Sequence, residues 1–408
     1  MMEATRRFIY PTIPQVDVID TYHGTNVRDP YRWLEDDRSV DTQEWIIEQN
    51  NRTRTFLDDI AAREHIKMRL TEIWDYPKYS VPYKRSGRYF FLKNDGLQNQ
   101  AVLYQQSDLK AEASVVLDPN TLSVDGTTAL TSQSISKDGT LLAYGISRHG
   151  SDWQELHIRD IDTGQEYDDV IQWCKFAQVA WKPDNSGFYY RRFPEPGTVP
   201  EEEQTFHSKI YWHTLGTPQS DDWLIYERPD AKELGLTPIV SEDGQYLLVY
   251  IHRGTDTQNR IYYRPIDSDG SFIPLLDDSN ARYLFIDNIG TTFYFFTNLD
   301  APRNRIIAID IDHPEQPHWQ EIIPQQDDPI SFVTMANDRF VVAYLHDVHH
   351  QLKLYHLDGS LDCEISLPSL GSITGLSGKR TDDELLFNFE SFLAPPTTFR
   401  YDFATSTL

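Results

Sequence analysis

A short sequence unit recurs along this chain and constrains its fold more than any other feature. The unit is an apolar lead-in, a polar turn and a run of strand residues rich in Tyr, Phe, Leu and Val. It occurs as KRSGRYFFLKN (84–94), SISKDGTLLAYGIS (134–147), VAWKPDNSGFYYRR (179–192), IVSEDGQYLLVYIH (239–252), NIGTTFYFFTN (288–298), MANDRFVVAYLHD (335–347) and KRTDDELLFNFES (379–391). The turns run from Gly87 to Asp382, which is 295 positions in six steps, or about 49 per step. Repeats of ~40–50 residues built from short strands are typical of propeller blades. The sequence therefore predicts an all-β fold, a seven-bladed β-propeller.

The first 74 residues have a different pattern. Residues 38–74 place apolar side chains at mostly three- and four-residue steps, which is the spacing of a helix. Residues 8–37 contain proline and show no regular period, and the prolines of WDYPKYSVP (74–82) end the helical pattern. We therefore predict two domains: an irregular and helical N-terminal strap over 1–74 and the propeller over 75–408.

Composition excludes several classes of partner. The chain has 63 acidic against 37 basic residues, a net charge of −26, and such a field repels nucleic acid and anionic membrane surfaces. Cys174 and Cys363 are too few and too far apart for a disulfide framework, which indicates a reducing compartment. There is neither a long apolar run nor a signal peptide. We expect a cytoplasmic protein with no nucleic-acid or membrane partner.

Several segments resemble the N-terminal part of the prolyl oligopeptidases. These are YHGTNVRDPYRWLED (22–36), DYPKYSVP (75–82), KNDGLQNQAVLY (93–104), LDPNTLSVDGTTAL (117–130), HGSDW (149–153), DTQNR (256–260), YLHDV (344–348) and FESFLAPPTTFRYDF (389–403). In that family a seven-bladed propeller caps an α/β-hydrolase domain, which cleaves short peptides after proline with a Ser-Asp-His triad. The resemblance implies that the propeller restricts access to the nucleophile and that the strap packs on the hydrolase domain.

The catalytic residues of the family are not found in this sequence. A hydrolase nucleophile needs a G-x-S-x-G elbow followed by an acid and a histidine, and no such elbow occurs. We therefore expect a truncated form, the propeller portion of a prolyl oligopeptidase-like serine peptidase, which is inactive by itself. Two alternatives stay open: a separate hydrolase chain assembles with it in trans, or the propeller is a peptide- or protein-binding scaffold.

The resemblance also implies roles for individual residues. Phe176 aligns with a phenylalanine of the pocket for the substrate residue two before proline, and Thr255 takes the place of a cysteine in that pocket. His252 stands where relatives carry an arginine that contacts the N-terminal side of the substrate, although the neighbouring Arg253 could restore the charge. Asp152 aligns with an aspartate that meets an arginine of the hydrolase domain. The implied ligands are short proline-containing peptides.

A metal site is the remaining possibility that the sequence raises. His346, His349 and His350 lie close together in HDVHH, but the segment follows a strand and lacks the further ligands that complete a site. We interpret it as a solvated loop and expect neither a metal nor a cofactor.

Overall fold

The computed structural model describes residues 10–408, which fall into two compact units divided between Tyr76 and Pro77. The first unit begins with a hairpin of β1 (Ile19–Tyr22) and β2 (Thr25–Arg28), followed by a 3-10 turn at Arg32–Glu35. Two helices complete it, α1 (Val40–Asp58) and α2 (Arg63–Trp74). Both helices lie within 38–74, where the spacing predicts helix, and the hairpin lies within 8–37, where the sequence shows no regular period; residues 8 and 9 lie outside the described residues.

The break between the helices has a local cause. α1 starts at the N-cap Ser39, whose Oγ accepts a hydrogen bond from the Thr42 amide at 3.2 Å. It ends at Asp58 with Asp59 as the C-cap, and α2 starts after Ala62 without a side-chain cap. Apolar spacing continues across the gap, so the periodicity of the sequence could not reveal it.

The second unit consists of seven antiparallel sheets arranged as the blades of a propeller. Blade 1 comprises β3 (Lys78–Tyr79), β4 (Tyr83–Arg85), β5 (Arg88–Asn94), β6 (Val102–Gln106) and β7 (Ser114–Leu117). Blade 2 comprises β8 (Thr128–Ile135), β9 (Leu141–Arg148), β10 (Trp153–Asp160) and β11 (Glu166–Lys175), and blade 3 comprises β12 (Val179–Trp181), β13 (Gly187–Arg192), β14 (Lys209–Thr214) and β15 (Trp223–Tyr226). Blade 4 comprises β16 (Leu234–Val240), β17 (Tyr246–Arg253), β18 (Asn259–Pro265) and β19 (Ile273–Leu276). Blade 5 comprises β20 (Tyr283–Ile289), β21 (Thr292–Thr297), β22 (Arg305–Asp310) and β23 (Gln320–Ile323). Blade 6 comprises β24 (Ile330–Ala336), β25 (Arg339–His346), β26 (His349–Tyr355) and β27 (Leu361–Ile365). Blade 7 comprises β28 (Ser372–Ser377), β29 (Glu384–Ser391) and β30 (Ala394–Asp402). The predicted seven-bladed propeller is confirmed.

The recurring sequence unit corresponds to one element of every blade. Each predicted turn joins the first strand to the second, and the aromatic and aliphatic run that follows is the second strand. These second strands are buried on both faces, as in β9, where seven of eight residues are buried. Burial on both faces removes the alternation of polar and apolar residues, which is why the unit reads as a continuous apolar run.

Aromatic side chains fill the wedges between neighbouring blades. Tyr246 of blade 4 packs edge-on against Phe293 of blade 5 with ring centroids 4.9 Å apart, and Tyr263 approaches the same ring at 5.5 Å. Tyr294 and Phe340 make the corresponding contact between blades 5 and 6 at 5.3 Å. Such pairs contribute about 0.5–1.5 kcal/mol each beyond their buried area. The high aromatic content therefore serves packing between the sheets.

The ring closes through side chains. Blade 7 contains β28 to β30 only, and no strand of blade 1 adds to its sheet. Instead, Glu384 on β29 accepts hydrogen bonds from Tyr89 and Lys84 of blade 1. Asn388 Nδ2 donates to the Tyr79 carbonyl oxygen at 3.0 Å. Polar contacts, one of them made by a buried carboxylate, thus hold the first and last blades together.

We expect trypsin to cut the first unit before the propeller. No residue of α2 is buried and only Thr42 of α1 is, so little tertiary burial stabilises either helix. Arg54, Lys67 and Arg69 are exposed and are the expected first sites, leaving a resistant fragment that begins near Trp74. Mass spectrometry of a digestion time course checks this. Equal survival of both units would contradict it.

Candidate ligand-binding face

Strand topology places the candidate residues at one end of the propeller. Antiparallel strands alternate in direction, so connections from second to third strands and from blade to blade all emerge on one side, here called the long-loop face. Asp152 lies between β9 and β10, Phe176 follows β11, His252 is near the end of β17 and Thr255 follows it. The opposite side, with the connections between first and second strands, is called the turn face.

Phe176 is displayed to solvent by an unusual backbone. Its φ is 48°, in the left-handed region that bulky residues rarely adopt, and the residue is 62% exposed. Its carbonyl oxygen accepts a hydrogen bond from Arg191 Nη2 at 3.0 Å. An exposed aromatic ring on a strained backbone has no role in packing the core, and such strain is frequent at ligand sites.

Sequence reasoning missed Arg191, on β13. It is 8% exposed, the only buried arginine among residues 10–408. Nη2 donates to the carbonyl oxygens of Lys175 and Phe176, Nε has no hydrogen-bond partner, and no described carboxylate pairs with it. Burial lowers the pKa of Arg191. Its strand reads GFYYRR, in which the arginine simply ends an apolar run, so only the packing reveals it.

His252 and Arg253 point in different directions, as neighbours on a strand do. The imidazole lies across Gly235 on β16, where a Cβ would come within 2.4 Å of His252 Nε2. Burial, and then the charge of Arg191, lower the pKa of His252, so the ring is neutral at pH 7. Arg253 pairs with Glu233 at 2.8 Å. The unpaired positive charge beside His252 is therefore that of Arg191.

Asp152 and Thr255 flank this group. Asp152 is paired with Lys175 at 3.2 Å, and Lys175 Nζ lies 5.6 Å from the centroid of the Phe176 ring. Asp152 is thus connected to Phe176 through one lysine. Thr255 is exposed in the turn after β17, and no described side chain hydrogen bonds to its hydroxyl.

Charged groups cross the channel at the turn face. Lys379 of blade 7 pairs at 2.6 Å with Glu242 of blade 4, on the opposite side of the ring. Lys137 of blade 2 donates to the Ser241 carbonyl oxygen at 2.9 Å, and Arg380 lies 3.6 Å from Asp287. Burial raises the pKa of Asp287 to about 6. Contacts between blades this far apart narrow the channel at this end.

The histidines of HDVHH do not converge. His346 and His349 flank a two-residue turn, and His346 Nδ1 lies 2.9 Å from Asp328 Oδ2. His350 Nδ1 accepts a hydrogen bond from the Ile373 amide at 2.9 Å. Across residues 10–408 there is no group of three or more His, Cys, Asp or Glu side chains placed to hold a metal ion. In that same range no helix has the length and apolarity to cross a membrane.

Comparison with known proteins agrees with the fold. Residues 11–408 match the family model described as "Prolyl oligopeptidase, N-terminal beta-propeller domain". The chain belongs to the prolyl oligopeptidase family. It is 37% identical over 398 residues to the prolyl endopeptidase of Elizabethkingia meningoseptica, covering 97% of this chain and 56% of that protein. Prolyl oligopeptidase A of Galerina marginata is 31% identical over 432 residues, covering 97% and 58%.

Solved structures give the same result for this family member. A structure from a study of two prolyl endopeptidases and their inter-domain dynamics superimposes with a TM-score of 0.90 at 31% identity, covering 98% of this chain and 59% of that one. Prolyl oligopeptidase B of Galerina marginata, bound to a 35mer hydrolysis and macrocyclization substrate, gives 0.87 at 27% identity, covering 97% and 59%. The chain therefore spans little more than half the length of the relatives it matches, and the match is to their N-terminal propeller portion.

Proposed function

We propose that this chain is the substrate-gating propeller of a serine peptidase that cleaves short peptides after proline, and that it is inactive without a hydrolase domain. The observation that carries the proposal is the asymmetry of the two ends. Phe176, Arg191 and His252 lie together at the long-loop face, whereas ion pairs such as Glu242–Lys379 cross the channel at the turn face. A hydrolase domain docked on the long-loop face would receive peptides that the channel selects by size.

The roles of the residues follow from their chemistry. The exposed Phe176 ring offers an apolar wall for a substrate side chain, with Thr255 and His252 as further contacts. We assign to Arg191 the positive charge that relatives carry at the position of His252, because it has no carboxylate partner among the described residues. Asp152, 56% exposed, is available to meet a cation of the docked domain.

The chain alone is expected to leave a chromogenic Gly-Pro substrate intact and to leave a fluorophosphonate serine probe unreacted, because no serine hydroxyl of residues 10–408 hydrogen bonds to a histidine that could act as its base. Hydrolysis assays and intact-mass analysis check this.

A second experiment mixes the chain with the hydrolase portion of the Elizabethkingia relative. The chain should slow the cleavage of a long proline-containing peptide and leave the cleavage rate of a short one unchanged. Stoichiometric labelling of one serine, or equal slowing of both peptides, would contradict the proposal.

Asp152→Asn tests the docking face in the same mixture. We expect association with the hydrolase portion to weaken by about tenfold, as for loss of an interface charge pair. Asp184→Asn is the matched control, since Asp184 is similarly exposed and paired with Lys182 at 3.3 Å, but on the turn face. If the chain binds proline peptides and never associates with the hydrolase portion, the scaffold alternative replaces the gating function.

A further inference from the structure

A cleft opens on the long-loop face between blades 2 and 3. It encloses about 380 Å³ and is lined chiefly by Trp173, Arg192, Phe193, Pro194, Lys209 and Tyr211. It lies on the far side of β13 from Arg191, since Arg191 and Arg192 are neighbours on a strand and point to opposite faces. Its volume is in the range of sites for small ligands. The cleft and the Phe176 group thus lie at the same end of the propeller on opposite faces of β13, and the Phe193 ring adjoins both, since its centroid is 5.6 Å from the Arg191 guanidinium carbon.

Arg192 is the charged group of the cleft. Its guanidinium carbon lies 3.8 Å from the centroid of the Tyr211 ring and 5.6 Å from that of Trp173. No carboxylate of the described residues is within ion-pair distance of it. Stacking on the aromatic rings holds the guanidinium plane, and its hydrogen bonds with Tyr190 and Tyr211 leave further N–H donors at its edge available. Such a fixed fork matches the two oxygens of a carboxylate.

The wall opposite Tyr211 is built by a strained residue. Trp173 lies in a bulge of β11, where the pairing with β10 shifts register, and its φ is 59°. Its carbonyl oxygen accepts a hydrogen bond from the Phe193 amide at 2.9 Å, which ties the start of the blade 3 loop to β11. A bulge re-aims side chains, and this one directs the indole to the cleft. Positive φ at a tryptophan is costly and is tolerated where the surrounding structure enforces it.

Most of the cations that line the cleft are paired with carboxylates, and one cation remains for an anionic ligand. Lys209 is paired with Glu227 at 2.7 Å, and His207 contacts Glu203 at 3.0 Å. Glu195, exposed at the rim, has no cationic partner in the described part of the chain and would repel a dianion. Arg192 is then the single cation lining the cleft that has no carboxylate partner among the described residues. A monoanion with an apolar neighbour therefore fits better than a phosphate.

We propose that this cleft binds the free C-terminal carboxylate of a short peptide whose last residue is apolar, with Arg192 as the fork and Trp173, Phe193 and Tyr211 as the apolar walls. That the last residue is proline rests on the proposed function, because cleavage after proline leaves a peptide that ends in proline. The carboxylate site itself depends only on the cleft.

Calorimetric titration of the full chain tests the site. The probes are acetyl-Ala-Ala-Pro with a free carboxylate and the same peptide as its C-terminal amide. We expect the amide to bind at least about tenfold more weakly, and Arg192→Gln to weaken binding of the acid by about 10- to 100-fold, as for loss of charge-assisted hydrogen bonds. Arg192→Lys, which keeps the charge and loses the fork, should lie between.

Arg264→Gln is the matched control. Its guanidinium carbon lies 4.9 Å from the centroid of Phe272, it has no carboxylate partner among residues 10–408, and it lines a different cleft, of about 580 Å³. The Arg264→Gln variant should bind the acid with the same affinity as the unmodified chain. Circular dichroism establishes that each variant is folded. Equal binding of acid and amide, or full binding by Arg192→Gln, would overturn the proposal.

Two further outcomes separate this site from the proposed function. If acetyl-Ala-Ala-Leu binds as tightly as acetyl-Ala-Ala-Pro, the preference for proline is wrong and the carboxylate site stands. If the acid binds as expected while the chain has no effect on the hydrolase portion, the cleft is confirmed as a peptide site and the gating function fails.

Discussion

Replacing His213 by glutamine is expected to lower the free energy of unfolding by about 3–5 kcal/mol, the range measured when one partner of a buried ion pair is removed. His213 on β14 is fully buried between two buried carboxylates. Nε2 donates to Asp169 Oδ1 of blade 2 and Nδ1 donates to Asp222 Oδ1 of blade 3, both at 2.7 Å. Asp222 also accepts a hydrogen bond from Tyr190 at 2.5 Å. Glutamine would leave two buried carboxylates without a cation.

Denaturant unfolding checks this value, with His356→Gln as the control. His356 is half-exposed and 3.8 Å from Asp362, and a surface pair of this kind contributes about 0–1 kcal/mol. Adding Asp169→Asn to His213→Gln should restore part of the loss, because it removes one of the unpaired buried charges. Equal stability of the two histidine variants would show that His213 is not a charged link between blades 2 and 3.

The same network predicts a dependence on pH. Burial by itself would lower the pKa of His213, but the hydrogen bonds and charges of Asp222 and Asp169 outweigh burial and raise it. A raised pKa stabilises the folded chain fully below the ordinary histidine pKa, and this contribution is lost as pH rises through the folded value. The difference in stability between the unmodified chain and His213→Gln should therefore be largest below the ordinary histidine pKa of about 6.5 and should shrink as pH rises above it. A constant difference would contradict a protonated His213.

Glu384→Gln is expected to cost about 3 kcal/mol, because it removes the buried anion at the ring closure. The carboxylate is 4% exposed and accepts hydrogen bonds from Tyr89 and Lys84 of blade 1 and from Arg400 of blade 7. Denaturant unfolding gives the loss, and hydrogen exchange locates it. Amides of β5 and β29, in blades 1 and 7, should exchange faster, whereas those of β17 in blade 4 should not change.

Glu321→Gln is the control for this substitution, since Glu321 pairs with Arg305 at 2.9 Å in a more exposed position. The dependence of the free energy of unfolding on pH in the acid range offers a second measurement. Burial would raise the pKa of Glu384, but hydrogen bonds from Arg400 and Tyr89 outweigh it and lower the pKa. The stabilisation is thus present above the ordinary glutamate pKa and is lost as pH falls through the folded value. Uniform exchange across the blades would mean that the ring does not close through Glu384.

Local patterns in the sequence were sufficient for the architecture. A polar turn followed by an apolar strand involves residues only a few positions apart, and every such unit proved to be the turn and second strand of a blade. The family assignment was equally accessible, because it rests on contiguous motifs. Helical spacing located the strap helices but not the break at 59–62, since apolar spacing continues across it.

The arrangement of the candidate residues on the long-loop face depended on the tertiary structure. Phe176 is an aromatic residue in an aromatic-rich chain, and only its backbone conformation and exposure distinguish it from the core. Arg191 and Arg192 are adjacent in sequence, yet one faces His252 and the other stacks on Tyr211 in a different cleft.

Sequence alone determined that this protein is a ring of seven sheets, because each blade is specified by turns and strands within about 50 residues of one another. What each end of the ring can do was decided by contacts between blades, such as Glu242 with Lys379, Tyr89 with Glu384 and Asp169 with His213. Those partners are separated by 137, 295 and 44 positions in the chain. No local pattern records such pairs, because whether a charge is paired or left available is settled only when the sheets pack together.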